Sequence, residues 1–334
     1  MMIASINILK IIASIMVITI HVSAINFPKL GAEQWSDSNI YNSFSRVCVP
    51  LFFMISGYFL VSRSGDIVSF YRNRLPKIAI PLVFWSAFFY IFNHLYFGAE
   101  LYSPLQMLIK PASTHLWFLY AMLGMYLICP FISKIYINSK NIERLIFLAF
   151  WFVSSYLLPM INSYFGMIVN AGLLQLTSIY GYIGFFFVGA WVKDNQHIIS
   201  FRLKLSLLSI YVLGSLCTMI LTESSSLKSG QPNMLFYSYL SPVVVISSVA
   251  IFYLFAVTNI HSKVVAWVGD LFSKFSLGVY CVHTAFIGIV AKEFHIGGDV
   301  SPSILWIPIT VILTFSLSCA TSLLCSKVPF LTVS

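Results

Sequence analysis

Asn7, Lys10, Ser14 and His21 lie 3, 4 and 7 positions apart in a segment that is otherwise apolar. At about 100° per residue a helix brings all four within roughly 60° of one another, so one face of that helix is polar along its length. His21 then stands about 16 Å along the axis from Lys10. An imidazole exchanges protons near neutral pH, so the chemistry it would bring is proton transfer. A polar face of this kind could line a path between compartments, or it could only supply the interhelical hydrogen bonds that hold a bundle together.

Other residues carry comparable potential. Arg46 precedes Pro50, which can open or kink a helix, and is expected at the outer mouth of the second span, where it could also snorkel to the interface. His115 and Trp117 open another apolar run, a place where an aromatic belt alone would put a tryptophan. Ser276, Tyr280 and His283 share one face of a later run, which turns His283 inward. Arg72, Arg74 and Lys77 cluster ahead of the third run. Guanidinium groups suit bidentate phosphate binding, although a topological excess of positive charge would put basic residues there without any ligand.

These residues need elements to position them, and composition says which. Of 334 residues, 59% are hydrophobic and 9% charged, against about a quarter charged in a soluble domain. Apolar runs near the roughly 20 residues that cross a hydrocarbon core as helix recur along the whole chain. Ten are expected, at 3–26, 45–62, 77–97, 115–136, 144–164, 172–192, 203–222, 236–258, 275–292 and 303–326. The expected fold is therefore an all-α polytopic membrane helix bundle, a single domain over 1–334 with no extra soluble domain. Lys and Arg concentrate in alternate loops (Arg63 to Lys77, Lys134 to Arg144, Lys193 to Lys204, Lys263 to Lys274), while the others hold only Lys29, Arg46, Lys110, Lys228 and Lys292. Cytoplasmic loops keep the excess, so both termini are expected in the cytoplasm.

The same scatter explains the net charge of +9 without a nucleic-acid partner, since no long basic run is present. The six cysteines include no CxxC pair and no metal-like spacing with histidine, and no metal is expected. Val22-Ser23-Ala24 has the look of a signal-peptidase site, but Lys10 interrupts the apolar core before it and the run is long enough to span, so cleavage is not expected.

Three segments resemble membrane-bound acyltransferase family 3: NILKIIASIMVITIH (Asn7 to His21), SRVCVPLFFMISGYFL (Ser45 to Leu60) and FYRNRLPKIAIP (Phe70 to Pro81). The first is similar to the family's opening helix, with Asn7 where an acid is usual and Lys10 where arginine is. The second, with its Val-Pro-Leu-Phe-Phe and Ser-Gly-Tyr elements, is the most specific. HLWFL (His115 to Leu119) and SLGVYCVHTAF (Ser276 to Phe286) are weaker echoes. The nearest likeness is to bacterial O-acetyltransferases of surface glycans such as O-antigen and enterobacterial common antigen.

That resemblance implies an acetyl-CoA-dependent O-acetyltransferase in a bacterial inner membrane. The acetyl group would pass from cytoplasmic acetyl-CoA to a sugar hydroxyl of a surface polysaccharide or its lipid-linked oligosaccharide precursor. Arg72, Arg74, Lys77 and Lys10 would hold the CoA. His21 would serve as base or acyl relay, with Arg46 and His115 beside it. Ser56, Tyr58, Trp117, Tyr280 and His283 would contact substrate or support the site. The alternative is a transporter or flippase for a glycan or small solute, for which intramembrane polar groups are also expected; no inverted repeat is seen in the sequence.

Overall fold

A segment inside hydrocarbon must pair its own backbone groups, and a helix does so within the segment. The computed structural model describes residues 2–61, 65–108, 110–165 and 179–326, and among these it contains helices and no strand. In chain order they are α1 (Met2–Ser23), α2 (Glu33–Ser45), α3 (Cys48–Leu60), α4 (Ile67–Arg74), α5 (Pro76–Phe97), α6 (Trp117–Asn138), α7 (Asn141–Phe152), α8 (Leu158–Phe165), α9 (Ile179–Asp194), α10 (Phe201–Ser229), α11 (Pro242–Ala256), α12 (Lys263–Ser273), α13 (Ser276–Phe294) and α14 (Ser303–Cys325). Nine spans among the described residues are long and apolar enough to cross a membrane. The chain is an all-α, multi-pass membrane protein. The expected span at 172–192 begins outside the described residues, and its described part is α9; Arg63 also lies outside them.

α1 sits centrally and touches α2, α3 and α11 to α14. Its residues Ile6, Leu9, Ala13, Val17 and Ile20 are buried in the main apolar core. The closest pairing is between α3 and α9, where two glycines let backbones meet. A Cβ on Gly57 would collide with the Phe186 carbonyl, and one on Gly189 with the Met54 carbonyl. Backbone cannot move aside as a flexible side chain can, so Gly189→Val is expected to destabilise the bundle by about 1–3 kcal/mol. A lower Tm in detergent would register the loss, and an unchanged Tm would contradict this packing.

The second span departs from expectation in a way that matters for the site. The expected helix was 45–62, with Arg46 at its mouth; the observed span runs over Glu33–Leu60 and is jointed at Arg46 and Val47. The joint has a covalent cause: Pro50 has no N–H to return to the Arg46 carbonyl four residues earlier, and helical bonding resumes with Leu51 N–H to the Val47 carbonyl at 3.0 Å. Arg46 is thereby placed about 20 Å into the span. It is 6% exposed, so it does not snorkel.

α2 escapes a search for apolar runs because its buried face is polar. Ser38, Asn39, Asn42, Ser43 and Ser45 are all buried. Their partners are built in: Asn26 Nδ2 donates to Ser38 Oγ at 2.9 Å, Asn39 Nδ2 to the Met219 carbonyl at 3.1 Å, and Asn42 Nδ2 to Ser23 Oγ at 2.9 Å. Buried polar groups that are satisfied in this way are tolerated.

Candidate active site

Three histidines from three elements meet in the half of the bundle away from Lys10. His21 comes from the last turn of α1, His115 from the single 3-10 turn Thr114–Leu116 that opens α6, and His283 from the middle of α13. Their ring centroids are 5.0 Å apart for His21 and His283, 5.1 Å for His115 and His283, and 6.2 Å for His21 and His115.

The three are not equivalent. His115 Nε2 lies 3.0 Å from the Cys281 carbonyl and must donate to it, which leaves Nδ1 to accept from Ser113 Oγ at 3.0 Å or Thr284 Oγ1 at 3.1 Å. Both nitrogens of His115 are thus committed to the protein, and the ring is 1% exposed. His283 is fully buried. His21 alone is half-buried, and its ring makes no hydrogen bond to another described residue. Of the three it is the one open to an incoming group whose proton it could take.

Arg46 lies close enough to His21 to act on it electrostatically. Its guanidinium carbon is 4.3 Å from the centre of the Tyr237 ring and 5.6 Å from that of Tyr239. One nitrogen donates to Asn42 Oδ1, and Nε has no partner among the described residues. No carboxylate pairs with Arg46 among the described residues, in contrast to Arg144, which pairs with Asp194 at 3.3 Å. Stacking on two rings offsets part of the cost of burying the charge, at about 2 kcal/mol where water is excluded. What remains is a cation held ready for negative charge that comes and goes.

At the other end of the bundle a cavity of about 410 Å³ is lined by Lys10, Arg74, Lys77 and Lys274, with Ser56 and Tyr126 on its wall. Among the described residues no carboxylate lines it. A neighbouring cavity of about 750 Å³ shares Arg74 and Lys77 but includes Asp66. Asp66 caps α4 by accepting from the Ser69 N–H at 2.8 Å, and that hydrogen bonding holds its carboxyl below the usual carboxylate range. An anion is therefore better placed in the smaller cavity, where the charges of the described residues are all positive.

Tyr280 connects the two ends. It lines the cationic cavity, its hydroxyl donates to the His115 carbonyl, and its own carbonyl accepts from His283 Nδ1 at 2.6 Å. Whatever reaches the deep end of the cavity touches the residue that holds two of the histidines.

The expected residues divide accordingly. Lys10, Arg74, Lys77, Ser56 and Tyr280 line the cavity. Arg72 is exposed and lines neither cavity, because residues two apart on α4 face opposite ways. The polar stripe is closed in its middle: Ser14 is buried and its hydroxyl turns back to the Lys10 carbonyl at 2.9 Å. Asn7 faces α12, donating to Asp270 Oδ1 at 2.8 Å. Tyr58 is buried and donates to Gln196 Oε1 at 3.0 Å, away from the cavity. Trp117 stacks at 6.0 Å between centroids on Tyr239, the second of the two rings beside Arg46. Lys274, Tyr237, Tyr239 and Asn42 complete the site and were not singled out in the sequence. Lys274 was visible there only as one loop charge among many.

Compared with protein-family models, residues 3–323 match the acyltransferase domain of acyltransferase family 3. No curated protein and no solved structure matches the chain.

Proposed function

Because the chain belongs to acyltransferase family 3, we propose that it moves a short acyl group, acetyl in the first instance, from acyl-CoA in the cationic cavity to a hydroxyl delivered at His21. The observation that carries this reading is Tyr280, whose side chain borders the cavity while its hydroxyl and carbonyl hold His115 and His283. Lys10, Arg74, Lys77 and Lys274 offer the positive charge that CoA phosphates need. The acyl end would extend toward Tyr280 and the histidines.

His21 then removes the hydroxyl proton as the oxygen attacks the thioester carbon. Arg46 faces the negative charge that develops on the carbonyl oxygen. As the carbon–sulfur bond breaks, the proton passes from His21 to the departing thiolate. The donor enters from the basic end, read as cytoplasmic by its Lys and Arg excess, and the acceptor from the opposite side. A sugar hydroxyl of a surface glycan or its lipid-linked precursor, in a bacterial inner membrane, fits that arrangement. The partly exposed ring of Trp117, stacked on Tyr239 beside Arg46, offers an apolar face for a sugar.

Protein reconstituted in lipid with acetyl-CoA is expected to release free thiol only when a glycan acceptor is present, and the acceptor is expected to gain one acetyl mass. Absence of thiol release with every short acyl-CoA and acceptor tried would overturn the reading. Release without acceptor would replace direct transfer with an acyl-enzyme relay.

The cavity makes a separate prediction. Arg74→Ala and Lys274→Ala should each raise KM for acetyl-CoA about tenfold, the loss of one charge-assisted contact, with kcat little changed. Arg72→Ala, outside both cavities, should leave KM where it was. Equal effects at Arg72 and Arg74 would contradict the cavity as the donor site.

A further inference from the structure

His283 is wholly buried, and the transfer as described gives it no part. Its Nδ1 stands 2.6 Å from the Tyr280 carbonyl, an oxygen that can only accept, so Nδ1 carries the ring proton of the neutral imidazole. Nε2 is therefore a lone pair. It is buried and has no partner among the described residues. Buried polar atoms are rarely left so, and an exception asks for an explanation in function.

The neighbours narrow the choice of donor. His115 gives its N–H to Cys281, and the Tyr280 hydroxyl is spent on the His115 carbonyl. The His21 ring, centred 5.0 Å away, is uncommitted among the described residues. That spacing leaves room for one N–H···N bond of about 3 Å, since each nitrogen stands roughly 1 Å from its ring centre. Such a bond requires the half-buried His21 ring to turn until one of its nitrogens faces His283 Nε2.

We propose that His283 is a positioning residue that sets the tautomer of His21, an inference that rests on the transfer reaction proposed above. Because His283 Nε2 can only accept, His21 must give its own N–H there. The other nitrogen of His21 is then unprotonated and faces the acceptor hydroxyl, which is the form a general base needs. During transfer the hydroxyl proton joins this free nitrogen, the oxygen–carbon bond forms, the carbon–sulfur bond breaks, and the same proton leaves on the thiolate. The proton between His21 and His283 stays in its hydrogen bond, and His283 ends as it began. The Tyr280 carbonyl makes the arrangement rigid from behind.

His283→Leu keeps volume and removes the acceptor, whereas His283→Gln can offer an amide oxygen to His21 and an N–H to Tyr280. In lipid, the leucine variant is expected to lose about 10²-fold or more in kcat with KM for acetyl-CoA unchanged, and the glutamine variant to stay within about tenfold of wild type. ¹⁵N spectra of histidine-labelled protein, which need no substrate, should show one His21 tautomer in wild type and the glutamine variant, and a mixture in the leucine variant. Wild-type kcat in the leucine variant would overturn the proposal. So would equal losses in both variants accompanied by raised KM or reduced membrane level, and so would identical His21 spectra in wild type and the leucine variant. If wild type turns over no acyl-CoA, the transfer reading fails, and the spectra still decide the role of His283.

Discussion

His21→Ala is expected to lower acyl transfer by about 10³-fold or more while leaving protein in the membrane and acetyl-CoA binding unchanged. The magnitude is that of removing a positioned general base, about 10²–10⁴-fold, at a site where His115 cannot replace it because both its ring nitrogens are bonded to the protein. The retained fold follows from the way α1 is held. Its core contacts come from Ile6, Leu9, Ala13, Val17 and Ile20, and the one hydrogen bond proposed for His21, to His283, orients its ring and does not hold the helix. Thiol release and acceptor mass measure the first part; membrane level and the binding isotherm for acetyl-CoA measure the second. Retained ester formation would remove His21 from the chemistry. A fall in membrane level parallel to activity would make it a packing residue.

Sequence alone reaches the spans well, because crossing hydrocarbon imposes a length and an apolar composition that any chain must show. It fails at α2, whose buried face of Ser38, Asn39, Asn42, Ser43 and Ser45 reads as a polar loop until its partners on other elements are known. From that one miss comes the misplaced depth of Arg46, which was expected at a helix mouth. At the basic end the residue types suit phosphate, but helix phase decides which take part: Arg74 faces the cavity and Arg72 does not. Lys274 joins them from a point 200 positions along the chain, a proximity that no local pattern encodes. The histidines are legible one at a time. Their convergence depends on how α1, α6 and α13 pack, as does the division of labour among them, which rests on carbonyls of Cys281 and Tyr280 that carry no signal in residue type.

Arg46→Leu is expected to lower kcat by about 10²–10³-fold and, at the same time, to leave Tm unchanged or raise it. The two outcomes have one cause. Arg46 is a buried charge without a carboxylate partner among the described residues and with Nε unpartnered, which costs a few kcal/mol at such depth in a membrane on insertion scales. Replacing it with an apolar side chain of similar reach removes that cost, as replacement of buried charges often does, against the loss of stacking on Tyr237 and Tyr239 worth about 2 kcal/mol. The same unpaired charge is what the developing oxyanion would meet, and losing one such group typically costs about 2.7–4 kcal/mol of transition-state stabilisation. Arg46→Lys keeps the charge but gives up the planar group that lies across two rings and reaches Asn42, so it should fall between wild type and leucine in kcat. An arginine whose work is only to tie α2 to the tyrosines would behave differently, losing stability and activity together in both variants. Thermal unfolding in detergent, measured beside kcat for the three proteins, separates these cases, because only a charge kept for the reaction makes the protein less active and no less stable when it is removed.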